Sequence, residues 1–473
     1  MRGRGPVRRA AAAALVGGVV AVGVLTAAGP AAADGTPAPG QGGAVATVGA
    51  LKTYGDAVIH DEDGDHRISA GLFEMSVEGG GMLQTYCVDL LNPTQKDAKY
   101  HETPWSGTSL GANKDAGKIR WILQNSYPQV NDLAELARRA GIRSGSGFTE
   151  QDAAAGTQVA IWRYSEKSGG ARGVAVEALD PQAERLADHL EKSARSTAEP
   201  SASLTLEPPA VSGPPGALLG PVTVRTNAGS VTVSPPADAA TSGVRIVDEE
   251  GEPVTTAADG ARLYFDVPAD APDGTAELTV HASTTVPVGR AFASESRSQT
   301  QILAGSSESS VTAGAAATWA QSGPVPALSA RENCAAGGVD ITGANAGAEP
   351  FTFELLGVEH TIPAGATRTV TVPLLEDQAY DFTITGPGGL ERRFSGVLDC
   401  LTRSTDTGGP NTQILSEPSP ATVGGTSEEL NLAATGSSGA APLIGGLAIG
   451  LVVIGGTALI VLRDREKKPA HQD

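Results

Sequence analysis

The sequence predicts a multidomain protein in which an N-terminal α+β domain is followed by two all-β sandwich modules, immunoglobulin-like or prealbumin-like, and a C-terminal transmembrane helix. The chain has 473 residues, which is enough for two to four domains. It contains 60 glycines and 31 prolines but only 4% aromatic residues. Together with short period-two apolar segments, that composition is typical of β modules joined by linkers.

The charge of the chain narrows the classes of partner. Acidic residues number 53 and Lys plus Arg 34, giving a formal net charge of -19. Such a surface repels a polyanion, and no basic stripe interrupts it. A nucleic-acid partner is therefore not expected.

The N-terminus has the three parts of a secretory signal peptide. Four arginines lie within residues 1–9, an apolar run covers residues 10–28, and Ala31-Ala32-Ala33 follows. A charged segment, an apolar segment and small residues at a cleavage site define such a signal. We expect residues 1–33 to be removed, so that the mature protein begins near Asp34.

The C-terminus predicts a single membrane span. Residues 443–462 carry no charge, and 20 helical residues rise about 30 Å, which matches a bilayer core. Residues 463–473 form a basic tail that should stay in the cytoplasm. This helix is the expected membrane contact of the protein.

A short motif precedes the span. It reads Leu432-Ala433-Ala434-Thr435-Gly436 and follows a Gly, Ser, Thr and Pro-rich linker at residues 404–431. The order of motif, span and basic tail resembles the cell-wall sorting signal of Gram-positive surface proteins, in the LAxTG form of high-GC bacteria. The resemblance implies that a sortase attacks the Thr435 carbonyl, releases everything from Gly436 onward and joins the chain to peptidoglycan. Ala433 departs from the commoner LPxTG form.

Residues 44–197 are predicted to form strands followed by helices. The helices are predicted at residues 114–127, 131–140, 149–164 and 181–193. Thr149 and Asp152 form a capping-box pattern at the start of the third helix. Pro128 should end the first helix, and Gly141 should end the second.

Cys87 and Gln158 are the candidate reactive residues of this region. Cys87 lies on the last predicted strand, and a solitary cysteine is unusual in a secreted protein. Gln158 lies on the third helix, where Ala154, Ala155 and Ile161 are its neighbours at helical spacing. A glutamine among small and apolar side chains is expected to face inward.

These motifs resemble the thioester domain of bacterial surface adhesins, the TQxA family. The resemblance is carried by Tyr86-Cys87 on a strand, by the helix containing Trp121, and by Thr157-Gln158-Val159-Ala160 leading into Ile161-Trp162. It implies that Cys87 and Gln158 form an internal thioester, with Tyr86, Thr157, Ala160 and Trp162 in support. It also implies capture of an amine, expected to be a lysine on a target surface, without a cofactor and without enzymatic turnover.

Other roles of Cys87 stay open from the residues alone. It could be a reduced core cysteine or form an intermolecular disulfide. It could also be the nucleophile of a secreted cysteine hydrolase, with His101 or His189 as base and Asn125 as orienting residue. An inert structural wall protein is the remaining functional alternative.

No metal site is expected. Residues 61–66 alternate oxygen ligands, but His66 and Leu72 occupy the positions where a calcium loop needs glycine and glutamate. We therefore predict an acidic hairpin turn there. The histidines lack partners at zinc-ligand spacing.

Two β modules that would form a stalk are predicted beyond residue 197. The second module of the chain covers residues 198–327, and the third module covers residues 328–403. Cys334 and Cys400 bracket the third module and are expected to form a disulfide, although a bond from Cys87 to either remains a competing pairing. No lysine occurs between Lys192 and Lys467. The lysine-to-asparagine isopeptide bonds common in the stalks of related adhesins are therefore not expected here.

Overall fold

The computed structural model describes residues 42–61, 64–145, 147–168, 174–296 and 298–401. The predicted signal peptide, linker, sorting motif, membrane span and tail (1–33, 404–431, 432–436, 443–462 and 463–473) lie outside the described residues. Within the described part of the chain, no helix is long and apolar enough to cross a membrane. The described residues all belong to the unit Met1–Val423.

The first half of the described chain begins with five strands, which three α-helices, a sixth strand and a fourth α-helix follow. In chain order they are β1 Gly42–Gly43, β2 Val45–Asp61, β3 Gly64–Val77, β4 Met82–Cys87, β5 Lys99–Thr103, α1 Ala116–Asn125, α2 Leu133–Arg139, α3 Glu150–Ser168, β6 Ala175–Ala178 and α4 Pro181–Ser193.

The second half is almost entirely β structure. Its elements are β7 Leu204–Glu207, β8 Ala210–Gly213, β9 Leu218–Thr226, β10 Val231–Ser234, α5 Ala239–Ser242, β11 Arg245–Val247, β12 Thr256–Ala257, β13 Arg262–Asp266, β14 Gly274–Thr285, β15 Ala291–Ser294, β16 Gln301–Ser306, β17 Glu308–Trp319, β18 Pro326–Asn333, β19 Gly338–Asn345, β20 Phe351–Leu355, β21 Val358–Ile362, β22 Thr367–Pro373, β23 Ala379–Thr385 and β24 Glu391–Val397.

The helix ends follow the capping signals of the sequence. The Asp152 amide donates to Thr149 Oγ1 at 3.2 Å and the Thr149 amide donates to Asp152 Oδ2 at 2.9 Å, which completes the predicted capping box of α3. Asp180 caps α4, and Pro181 occupies its first turn. The contacts between Thr149 and Asp152 fix the start of α3, the helix that carries Gln158.

A sheet of seven strands organises the N-terminal region. Its order is β3-β4-β16-β15-β5-β2-β6, and β2 also pairs with β3, so that six of the strands form a closed ring. β4 therefore has hydrogen-bonded neighbours on both sides, β3 and β16. The helix α3 packs against β2 and β3 of this sheet.

The predicted domain boundary after residue 197 does not divide the sheets. β15 and β16, which complete the N-terminal sheet, come from the region predicted to be stalk, and β1 pairs with β17 of the second module. The physical reason is that the second edge of β4 needs a partner for its backbone groups. That partner lies more than 200 residues away in sequence, as the pair Gln301–Cys87 is 214 residues apart.

The second module contains two antiparallel-rich sheets. One has the order β1-β17-β14-β10-β12 with β8 alongside β17, and the other is β11-β13-β9-β7. Their buried side chains belong to one hydrophobic core that continues into the N-terminal region. Residues 42–320 thus share a single core rather than two separate ones.

The third module has a hydrophobic core of its own, built on Leu328, Ile341, Phe351 and Phe353 among others. Its strands form the sheets β18-β19-β22, β20-β21 and β23-β24. The predicted disulfide between Cys334 and Cys400 is present and closes a separation of 66 residues, while Cys87 is free. The competing pairings of Cys87 are therefore wrong.

Candidate functional site

Cys87 is the last residue of β4 and is buried, with 4% of its surface exposed. Its backbone groups do not bond to a neighbouring strand. Its amide donates to Gln158 Oε1 at 3.0 Å, and its carbonyl accepts from Gln158 Nε2 at 2.8 Å. The side-chain amide of Gln158 therefore replaces a strand at this point and satisfies both polar groups of Cys87.

The residues predicted to support Gln158 make hydrogen bonds of their own around it. Thr157 Oγ1 donates to the carbonyl of Ala153 at 2.7 Å, and Tyr86 Oη donates to the carbonyl of Tyr127 at 2.9 Å. Ala160 and Trp162 are buried on the same helix. The structure thus brings Tyr86, Thr157, Ala160 and Trp162 together in the core beside Gln158, whereas Trp121 is only partly buried.

A second glutamine lies against the Cys87 thiol. Gln301 is the first residue of β16, is fully buried, and lies directly opposite Cys87 in the antiparallel pair. Because the Cys87 backbone bonds to Gln158, this is a pair without mutual backbone hydrogen bonds, in which opposing side chains come closest. Gln301 Nε2 donates to Cys87 Sγ at 3.4 Å.

Two threonine hydroxyls contact the Gln301 amide. Thr85 Oγ1 donates to Gln301 Oε1 at 3.0 Å. Thr94 Oγ1 accepts from Gln301 Nε2 at 3.3 Å and lies 3.7 Å from Cys87 Sγ. Within the described part of the chain, Thr94 and Gln301 are the hydrogen-bond partners of the Cys87 sulfur.

Burial decides the electrostatics of the site. It raises the pKa of the Cys87 thiol to about 12, against the opposing effect of the hydrogen bonds from Gln301 and Thr94. Burial also raises the pKa of Asp89 to about 7, although Ser109 Oγ and the Thr300 amide both donate to its carboxyl. The thiol is therefore neutral at pH 7, and its proton must be removed as the sulfur reacts.

The structure places the Gln158 amide against the backbone of Cys87, while the hydrogen-bond partners of the sulfur are Thr94 and Gln301. Both polar atoms of the Gln158 amide bond to the Cys87 backbone, so an attack by Sγ on Gln158 Cδ would leave a buried N–H and a buried C=O without partners. The side-chain amide of Gln301, in contrast, donates a hydrogen bond to the Cys87 sulfur. The sequence did contain a signal, because Thr300-Gln301-Ile302-Leu303 repeats the Thr-Gln pair of the TQxA motif.

The groups that a cysteine hydrolase would need lie away from the Cys87 sulfur or make other contacts. His101 pairs with Glu295, His189 lies on α4, and Asn125 Nδ2 donates to the Trp121 carbonyl of its own helix. Among the described residues, neither imidazole is a hydrogen-bond partner of the Cys87 sulfur. The arrangement does not form a Cys-His pair.

Acidic groups occur in two further places. β2 and β3 pair as far as Asp61 and Gly64, and residues 62 and 63, where the hairpin turn is predicted, lie outside the described residues. In the described part of the chain, Glu376, Asp377 and Asp399 are the one carboxyl group cluster whose oxygens converge closely enough to hold a metal ion. Glu376 Oε1 already accepts the amides of Cys400 and Leu401.

Two protein-family models match the chain. Residues 84–196 match the model described as thioester domain, and residues 326–397 match the C-terminal domain of bacterial phospholipase C. The first match contains Cys87 and Gln158 but ends before Gln301. The search of curated proteins finds no match.

Three solved structures that are similar to this chain are given with their identities, coverages and TM-scores. The Bacillus anthracis TIE protein has 17% identity and a TM-score of 0.27, with 75% of this chain and 64% of that protein covered. The thioester domain of the Enterococcus faecium TIE86 protein has 14% identity and a TM-score of 0.27, with 59% and 97% covered. The E. coli chaperone DraB has 13% identity and a TM-score of 0.15, with 41% and 98% covered. The family assignment rests on the sequence match.

Proposed function

Residues 84–196 belong to the thioester domain family, and on that premise we propose that this protein is an extracellular adhesin that binds its target covalently. The reactive bond is a thioester between Cys87 Sγ and Gln301 Cδ. The observation that carries this assignment is the contact of 3.4 Å between Gln301 Nε2 and Cys87 Sγ, between residues directly opposite each other on β4 and β16.

The bond forms by displacement of ammonia. The Cys87 sulfur attacks Gln301 Cδ, the bond from Cδ to Nε2 breaks, and the thiol proton leaves with the nitrogen as ammonia. Thr85 Oγ1, which donates to Gln301 Oε1, stabilises the negative charge that this oxygen gains during the attack. No cofactor is needed.

In the capture of the target, Cys87 Sγ is the leaving group instead of the attacking atom. An amine on the target, proposed to be the side chain of a lysine, attacks Gln301 Cδ and displaces the Cys87 thiol. The product is an amide cross-link and a free cysteine. Both residues are buried, which protects the thioester from hydrolysis until an amine reaches it. Each molecule reacts once, so the protein is not a turnover enzyme.

The same proposal includes attachment to the cell wall. Secretion by residues 1–33 and sortase cleavage at Thr435 would join the ectodomain to peptidoglycan, with residues 443–462 as the membrane intermediate. Replacement of Thr435 by Ala tests this part: the variant should be extracted from the wall by detergent, and a Thr435→Ala protein that resists extraction contradicts it.

Pairing of Cys87 with Gln158 is the second candidate. Its support is that the Gln158 amide makes two hydrogen bonds to Cys87, and that the family match covers both residues. Its weakness is that these bonds involve the Cys87 backbone. The two candidates predict different modified residues.

Intact mass of the purified ectodomain tests the proposal. We expect a deficit of one ammonia, lost in Cys87→Ala and in Gln301→Glu but kept in Gln158→Glu and in the matched surface control Gln124→Glu. A deficit lost in Gln158→Glu and kept in Gln301→Glu would support the second candidate. A wild-type mass without the deficit, together with a free thiol, would falsify thioester formation and favour an inert wall protein, and turnover of a peptide substrate would favour a hydrolase.

A further inference from the structure

Thr94 lies against both of the atoms that exchange a proton when the thioester forms. We propose that Thr94 is a catalytic residue of the thioester reaction and that its hydroxyl carries the proton between Cys87 Sγ and the amide nitrogen on Gln301. This inference rests on the proposed function. It adds a residue that the motifs did not single out.

The geometry of the hydroxyl supports this role. Thr94 Oγ1 is 3.7 Å from Cys87 Sγ and 3.3 Å from Gln301 Nε2. Thr85 meanwhile donates to the carbonyl oxygen of the same amide. The attacking sulfur and the leaving nitrogen therefore share one hydroxyl, while the carbonyl oxygen has another.

A third amide holds the Thr94 hydroxyl in position. Gln299 Nε2 donates to Thr94 Oγ1 at 2.8 Å, and the Gln299 backbone amide donates to the Pro93 carbonyl at 3.3 Å. The segment before Gln301 is thus bonded to the segment that carries Thr94 at two points. Such contacts keep a hydroxyl at the distance that proton transfer needs.

The thiol needs a proton carrier because nothing else at the site can accept its proton directly. Within the described residues, no carboxyl or imidazole is a hydrogen-bond partner of the sulfur. Burial raises the pKa of Cys87 to about 12, so a free thiolate is scarce at neutral pH. The proton must move while the bond from sulfur to carbon forms.

The step balances without any other reactant. The Cys87 S–H proton passes to Thr94 Oγ1 as the Thr94 hydroxyl proton passes to Gln301 Nε2. The Sγ–Cδ bond forms, the Cδ–Nε2 bond breaks, ammonia leaves, and Thr94 is again a neutral alcohol. Because the transfers are concerted, neither an alkoxide nor a charged oxonium is required.

Capture of an amine follows the same route backwards. By microscopic reversibility, the amine nitrogen occupies the position that ammonia left, beside Thr94, and its proton returns through the hydroxyl to Cys87 Sγ. Thr94 is half-buried, whereas Cys87 and Gln301 are buried, so its side of the bond is the one nearer to solvent. The amine therefore enters past Thr94.

Gln299 offers the acceptor that an entering amine needs. Its side chain is 7% exposed, and in the described part of the chain its Oε1 is buried without a hydrogen-bond partner. The same side-chain amide contacts Thr94 through Nε2. A buried carbonyl oxygen without a partner is costly, and an amine N–H at this point would satisfy it.

The test compares Thr94→Val, which removes the hydroxyl at constant shape, with Thr94→Ser, which keeps it. The first-order rate at which methylamine opens the thioester is followed by intact mass of the full ectodomain. General acid-base catalysis contributes about 10²- to 10⁴-fold. We expect Thr94→Val to be slower than wild type by at least about 10²-fold and Thr94→Ser to stay within a few-fold. The exposed Thr232→Val variant is the matched control and should be unchanged.

The solvent isotope effect separates proton transfer from packing. Wild type and Thr94→Ser should react more slowly in D₂O than in H₂O, and the residual reaction of Thr94→Val should show a smaller difference. If no thioester forms in Thr94→Val while Thr94→Ser shows the full ammonia deficit, the relay is also supported.

Two results would overturn the relay. One is a Thr94→Val rate equal to that of wild type. The other is an equal loss of rate in both Thr94 variants with the isotope effect unchanged, which would mean that Thr94 acts only through the shape of its loop. In either case the wild-type ammonia deficit would still support the thioester, whereas its absence would contradict the proposed function itself.

Discussion

Two glutamines flank Cys87, and their amides bond to different parts of it. Gln158 bonds to the backbone of Cys87, and Gln301 bonds to its sulfur. The first contact holds the end of β4 in position where no strand can do so. The second places the Gln301 amide at the thiol. If Gln158 holds the end of β4 in position, its replacement should lower the free energy of unfolding by a measurable amount.

Replacement of Gln158 by Met should destabilise the protein. Methionine has a similar shape, but it leaves the buried amide and carbonyl of Cys87 without partners, at about 1–3 kcal/mol for each group. We expect the free energy of unfolding to fall by roughly 2–6 kcal/mol in total. Tryptophan fluorescence during urea denaturation measures it, because Trp105, Trp162 and Trp319 are buried in this core and Trp121 packs against it.

The control is Gln124→Met on the exposed face of α1, where a change of no more than about 0.5 kcal/mol is expected. A Gln158→Met protein as stable as this control would contradict the holding role.

At the residue scale, the sequence identified Cys87 but not the glutamine that lies against its sulfur. Cys87 was identified because an unpaired cysteine is unusual outside the cell, and that reasoning needs no structure. Gln158 was correctly predicted to face inward, and it does lie beside Cys87. Gln301 was missed because its only local signal, the pair Thr300-Gln301, lay in a region predicted to be stalk.

At the scale of elements, the helices were more predictable than the strand pairings. The ends of α3 and α4 are decided by caps within a few residues, such as Thr149 with Asp152. The pairing of β4 with β16 depends on backbone groups that are common to every strand. The side chains of neither strand specify which strand its partner is. A pairing across 214 residues therefore could not be derived from the sequence.

Two fragments test the requirement for β15 and β16. A fragment of residues 34–197 matches the boundary predicted from sequence but lacks both strands, so β4 keeps an unpaired edge. We expect it to unfold without a cooperative thermal transition and to show no ammonia deficit. A fragment of residues 34–323 should show both a cooperative transition and the deficit. Thioester formation in the shorter fragment would contradict the account and favour Gln158.

At the scale of the whole molecule, the third module reaches the reactive site. The Cys334 amide donates to the Ser106 carbonyl at 3.0 Å, and Thr300 Oγ1 donates to Asp399 Oδ2 at 3.5 Å. Thr300 also donates its amide to Asp89, and it directly precedes Gln301. Thr300 therefore contacts two carboxyl groups, Asp89 of the N-terminal region and Asp399 of the third module.

These two carboxyl groups should make stability depend on pH. Burial raises the pKa of Asp89 to about 7, and burial together with Asp89 raises the pKa of Asp399 well above its usual value. At these two groups the folded protein therefore binds more protons than the unfolded chain above about pH 4. Their contribution to stability should be fully present below about pH 4 and be lost as pH rises through about 7, by up to about 1.4 kcal/mol per pH unit for each proton.

Replacement of Asp399 by Asn removes one of the two charges. We expect thermal midpoints measured from pH 4 to 8 to fall less steeply in Asp399→Asn than in wild type, with the largest gain at pH 8. The exposed Asp270→Asn variant serves as control and should follow wild type. An unchanged slope in Asp399→Asn would show that the carboxyl pair does not govern this dependence.

Locating the captured amine tests directly whether the thioester forms on Gln301. The ectodomain is treated with methylamine, digested and sequenced by tandem mass spectrometry. We expect the methylamide on Gln301, a free thiol at Cys87, and no label in Cys87→Ala. A methylamide on Gln158, or a wild-type protein that takes up no methylamine, would contradict a thioester between Cys87 and Gln301.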